Sequence, residues 1–177
     1  MYDFNRKPRE SFTVFNNNGL ISKLLLYTWF FGHYIYYRVK IPVVRQLLYV
    51  IYRILDLLIV RTVCSSSVPP TCKIGKNIIL PHPIGIVIHD NAVIGDNVRL
   101  LHQVTIGRNR FSTIDKLKPP TIGNNVFIGA GAKLIGPIHI GDDCIIGVNA
   151  VITKNIPDNS TVVEFSRIIP TKTPHGA

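Results

Sequence analysis

From Ile122 onward an aliphatic residue returns every six positions: Ile122, Ile128, Leu134, Ile140, Ile146 and Ile152. Four places after each stands a second small or apolar residue, namely Val126, Ala132, Ile138, Cys144, Ala150 and Ile156. Glycine directly follows the aliphatic residue at Gly123, Gly129, Gly141 and Gly147. The same register runs upstream in two blocks, Val68-Ile74-Leu80 and Ile88-Ile94-Leu100-Ile106, separated by a two-residue slip. A period of six is neither the 3.6 of a helix nor the alternation of a half-buried strand. It predicts coils of three short flat strands, each sending one aliphatic residue inward, with Gly, Asn or Asp at the corners. Coils stacked about 4.8 Å apart align those residues into continuous ladders.

Before residue 64 the pattern changes. Between residues 43 and 60, Gln46, Tyr49, Arg53 and Asp56 recur at helical spacing against Leu47, Ile51, Leu55 and Leu58, and Pro42 suits a helix start. A second apolar stretch, residues 24–37, is too short to span a bilayer. The expected organisation is therefore a helical region over 1–63, a β-helix over 64–157 with an extruded loop at 107–121, and a tail over 158–177. Two roles fit the helices. They pack on the β-helix or between subunits, or they attach shallowly to a membrane, because Lys23, Arg38, Lys40, Arg45, Arg53 and Arg61 alternate with Trp29, Phe30, Phe31, Tyr36 and Tyr37.

Composition narrows the setting. The 177 residues are 46% hydrophobic and 17% charged, enough apolar content for a core and against disorder. Cys64, Cys72 and Cys144 have no metal or redox spacing and read as reduced packing residues. No apolar stretch of the signal-peptide kind follows Met1, so the expected location is cytoplasmic, with the inner face of the membrane as the alternative for the helical region. A formal charge of +10 calls for an anionic partner. No nucleic-acid motif is present, which leaves a membrane surface or an anionic co-substrate.

Two histidines stand out by register. His82 and His102 are each the third residue of a hexad, begun by Leu80 and Leu100, one coil apart, so their rings should meet at one edge about 5 Å apart. Histidine is the natural side chain to take a proton from a hydroxyl near neutral pH. A zinc site competes, with His89 and His139 as further ligands, although catalytic zinc usually takes three protein ligands. The loop at 107–121 is rich in Arg and Lys and suits a phosphate. The run Ile128-Gly129-Ala130-Gly131-Ala132 would let a ligand approach the backbone closely.

Residues 65–157 resemble the serine acetyltransferase branch of the hexapeptide-repeat acyltransferases. The matching stretches are Leu80-Pro81-His82-Pro83-Ile84-Gly85-Ile86-Val87-Ile88, Val104-Thr105-Ile106-Gly107 and Ile128-Gly129-Ala130-Gly131-Ala132-Lys133. The helices, with the pairs Tyr37-Arg38 and Tyr52-Arg53, resemble shorter, polysaccharide-modifying members. The resemblance implies a left-handed parallel β-helix, a homotrimer with sites between subunits, and acetyl-CoA as co-substrate without a metal. It places the catalytic base on His82, with His102 beside it, and the coenzyme A groove on Gly107, Arg108, Ala130, Lys133, Val148 and Lys154.

Several positions depart from that branch. Pro81 and Ser67 stand where it has aspartates, Lys118-Pro119 where it has an Arg-His pair that holds serine's carboxylate, and His102 where glutamine is common. Residues 163–166 replace its Gly-x-Pro-Ala element, and most of its large helical domain is missing. These departures favour a sugar hydroxyl in capsule, O-antigen or exopolysaccharide synthesis as acceptor. Serine O-acetylation is the alternative, ahead of a metal-dependent lyase or an inactive scaffold.

Overall fold

The computed structural model describes residues 18–109 and 118–163. Two helices come first, α1 (Leu20–Arg38) and α2 (Pro42–Leu55), and α2 continues as a π-helix over Asp56–Val63. Pro42 opens α2 because its missing N–H has no helical partner at that position. The two helices cross closely at Gly32, where a Cβ would run into the Tyr52 ring.

Among the described residues twelve strands of two or three residues follow, wound as a left-handed parallel β-helix with three faces. Face I stacks β1 (Lys73–Ile74), β3 (Val93–Ile94), β6 (Thr121–Ile122) and β9 (His139–Ile140). Face II stacks β4 (Arg99–Leu100), β7 (Phe127–Ile128), β10 (Ile145–Ile146) and β12 (Thr161–Val162), with Ile79 bridged to Arg99 above them. Face III stacks β2 (Val87–Ile88), β5 (Thr105–Gly107), β8 (Lys133–Ile135) and β11 (Val151–Ile152).

The register reproduces the hexads. Ile94 pairs with Ile122, Ile106 with Leu134, and Leu100 with Ile128, so each face contributes one buried ladder to the core. β12 carries the coil to Val162, past the boundary expected at residue 157. At the corner between faces I and II the chain adopts positive φ at Asn77, Asn97, Asn125, Asp143 and Asn159. Asn tolerates that conformation, and here its amides also stack: Asn77 Nδ2 donates to Asn97 Oδ1 at 2.9 Å and Asn97 Nδ2 to Asn125 Oδ1 at 3.0 Å.

Cys64, Cys72 and Cys144 are buried free thiols, and burial pushes Cys72 up to about 12. They fill core space and are poor nucleophiles. Among the described residues no helix is long and apolar enough to cross a membrane. The greater part of the expected loop, residues 110–117, lies outside the described residues, as do 1–17 and 164–177.

Candidate active site

The corner between faces II and III is where the two-residue slip is absorbed. Gln103 N–H donates to the Ile84 carbonyl, Gly131 N–H to the His102 carbonyl, and Asn149 N–H to the Ala130 carbonyl. Ile84, His102, Ala130 and Val148 therefore form one backbone column, and the two extra residues sit between Leu80 and Ile84. This corrects the register argument for His82. It is not in column with His102; it rides on the extra turn, which closes by an Ile84 N–H to His82 carbonyl bond of 2.8 Å. The bulge pushes the exposed His82 outward, yet its ring still meets His102, centroid to centroid at 6.2 Å and 73° between planes.

Three side chains that the sequence pattern did not single out hold this corner. Asn18 Oδ1 accepts the Leu80 N–H at 2.8 Å, while its Nδ2 donates to the Ile78 carbonyl at 2.9 Å. Ser22 Oγ donates to the Leu80 carbonyl at 2.5 Å. Ser66 Oγ accepts the Ile86 N–H at 3.0 Å and lies 2.9 Å from the carbonyls of Pro83 and Cys64, either of which can take its single proton. All three are buried. The first coil has no coil above it to satisfy these backbone groups, and an unpaired buried N–H or C=O is costly.

The histidines differ in their partners. His33 Nδ1 bonds the Pro70 carbonyl, His89 pairs with Asp90 at 2.7 Å, and His139 bonds Thr121 Oγ1 at 3.0 Å. Among the described residues, no hydrogen bond occupies either ring of the His82–His102 pair, whose nitrogens are therefore available to a hydroxyl. Also among the described residues, no three His, Cys, Asp or Glu side chains are grouped to hold a metal.

The expected coenzyme residues border face III. Ala130 and Val148 continue the His102 column, Ala130 half-buried and Val148 exposed. Lys133, on β8, extends its Nζ to the Gln103 carbonyl at 2.6 Å, which holds a cation beside His102. Gly107, Arg108 and Lys154 lie at the opposite corner, where faces III and I meet and the loop departs. Face III is thus bounded by the histidine edge on one side and by the root of the loop on the other. Such a strip offers small residues and exposed cations to a long anionic ligand, with a hydroxyl-activating group at one rim. A cavity of about 640 Å³ lies elsewhere, between α2 and the first coil.

Residues 119–154 match the family described as bacterial transferase hexapeptide (six repeats). A serine acetyltransferase of Helicobacter pylori is 38% identical over 127 residues, 72% of each chain. The serine acetyltransferase of Brucella abortus, solved in complex with coenzyme A, is 30% identical with a TM-score of 0.66, covering 80% of this chain and 52% of that one. Soybean serine acetyltransferase complexed with serine gives 29% identity and a TM-score of 0.66, covering 81% and 54%. The chain therefore spans about half the length of those two solved structures.

These likenesses overturn the expectation of a sugar acceptor in polysaccharide synthesis. That expectation weighed Ser67, Pro81 and Lys118-Pro119 as departures from the serine acetyltransferase branch. Those departures are single residues, whereas the likeness to a serine acetyltransferase runs over 127 residues at 38% identity. Charged residues of the loop, Arg110, Asp115 and Lys116, lie outside the described residues.

Proposed function

Since the chain belongs to the hexapeptide-repeat acyltransferases, among relatives named serine acetyltransferase, we propose that it transfers the acetyl group of acetyl-CoA to the hydroxyl of L-serine. The observation that carries this reading is the paired imidazoles of His82 and His102, with His102 standing on a column that continues into Ala130 and Val148.

In this reading His82 takes the proton from the serine hydroxyl as its oxygen attacks the thioester carbon. The new C–O bond forms, the C–S bond breaks, and the departing thiolate of coenzyme A takes the proton back from His82. The products are O-acetylserine and coenzyme A. His102 positions the acceptor or donates to the tetrahedral oxyanion, where one preorganised donor is worth about 10²–10³ in rate. The pantetheine arm runs along Ala130 and Val148, and Lys133, Arg108 and Lys154 offer cations to its phosphates. The reading further takes the protein as a cytoplasmic homotrimer in which a neighbouring copy covers part of each site. Its test is product identity. Acetyl-CoA and L-serine should yield O-acetylserine by mass spectrometry, and release of coenzyme A without that product would refute the reading.

A further inference from the structure

The helical rod of residues 42–63 carries opposite chemistry on its two sides. Arg45, Gln46, Tyr49, Arg53 and Asp56 face the first coil and line the 640 Å³ cleft. Val43, Leu47, Val50, Ile54 and Leu58 face away and are exposed, Val43 by 79% and Leu47 by 65%. A helix docked on its own domain normally buries its apolar stripe. This one buries only Tyr52, Asp56 and Val60, keeps Arg45, Gln46, Tyr49 and Arg53 exposed around the cleft, and leaves the apolar stripe exposed, and α1 adds exposed Leu20, Leu24 and Phe30.

Charge selects the occupant of that face. Residues 18–63 hold Lys23, Arg38, Lys40, Arg45, Arg53 and Arg61. Their acidic residue, Asp56, is already paired with Arg61 at 2.7 Å. An anionic bilayer accepts both features, taking the apolar stripe into the headgroup–acyl boundary and the Lys and Arg ends among its phosphates. Among the described residues no helix is long and apolar enough to cross.

We infer that residues 42–63 lie along an anionic membrane surface and hold the β-helix against it. This stands independently of the acceptor. The test is co-sedimentation of the full chain with vesicles of phosphatidylcholine alone and of phosphatidylcholine with one-third phosphatidylglycerol. The expected result is about tenfold or greater preference for the anionic vesicles, falling steeply with salt as exposed charges are screened. The double variant Leu47→Glu/Ile54→Glu should lose that binding with melting temperature, oligomer mass and acetyl transfer in solution unchanged. Where that variant fails to fold, Arg38→Glu/Lys40→Glu, both exposed, should lower anionic binding about tenfold. Equal binding to both vesicle types, wild-type binding by the folded variants, or a change of oligomer mass in place of lipid binding would each overturn the inference.

Discussion

The Oδ1 of Asn18 accepts the backbone N–H of Leu80 at 2.8 Å, joining positions 62 apart in sequence at the coil edge that leads directly into His82. Ser22 takes the carbonyl of the same residue. The helical region thereby substitutes for the coil that the first turn of the β-helix lacks. Replacing Asn18 by Ala leaves the Leu80 N–H and the Ile78 carbonyl buried without partners, at a cost of about 1–3 kcal/mol. Asn18→Ala should therefore lower the melting temperature and reduce kcat more than it raises KM for acetyl-CoA, since the column proposed for coenzyme A lies on later coils.

Ser66 fixes the other side of the same turn. In Ser66→Ala the Ile86 N–H and the Pro83 carbonyl lose their bonds, and the turn carrying His82 is released while the ring itself is untouched. The expected outcome is a fall in kcat with a stability loss of about 1–3 kcal/mol, read by denaturant titration. Ser66→Thr retains the hydroxyl and should recover more of the rate than Ser66→Val. Equal losses in the two would mean that the site needs only the volume.

Gly131 follows Ala130, in line with Gln103 and Asn149, and holds φ at +73°, where a Cβ would collide with the Asn149 side chain. Gly131→Ala therefore carries both backbone strain and a steric clash beside the column proposed for the pantetheine arm. It should raise KM for acetyl-CoA and lower stability, whereas Gly19→Ala, with open space around it, should do neither.

The thiols give a pH dependence with a definite sign. Burial raises Cys72 from an ordinary thiol value of 9.0 to about 12. In the unfolded chain the thiol ionises near 9, whereas in the fold it keeps its proton. Its contribution to stability is complete below pH 9 and is lost as pH rises from there toward about 12. Denaturant midpoints should fall between pH 8 and pH 10 by more in the wild type than in Cys72→Ala. The folded protein should also resist alkylation at Cys72 at pH 8, since little of the reactive thiolate is present.

Much of this was legible in the chain. The hexads from Ile122 to Ile152 fixed three faces and their ladders because each coil repeats one burial pattern, and the same counting brought His82 and His102 to one edge. Counting placed the two-residue slip between Leu80 and Ile88 but did not say which residues of that stretch leave the register. Only the backbone bonds from Gln103 to Ile84 place it at His82. Asn18 and Ser22 escaped notice because their partners are backbone groups about sixty positions away, for which local spacing carries no signal. The polar stripe of α2 was visible; that it borders the cleft was not, since a moment along a helix does not say which side meets the fold. The acceptor was misjudged because a few single-residue departures were weighed above a likeness that runs over 127 residues.

The most direct measurement is the initial rate of thiol release from acetyl-CoA as L-serine is raised, for wild type and His82→Ala side by side. Activation by a positioned general base is worth about 10²–10⁴ in rate. The account predicts saturable, serine-dependent release in the wild type and a loss of that size in His82→Ala, with circular dichroism unchanged and a smaller loss in His102→Ala. Release that ignores serine, or a folded His82→Ala variant that turns over near the wild-type rate, would contradict it.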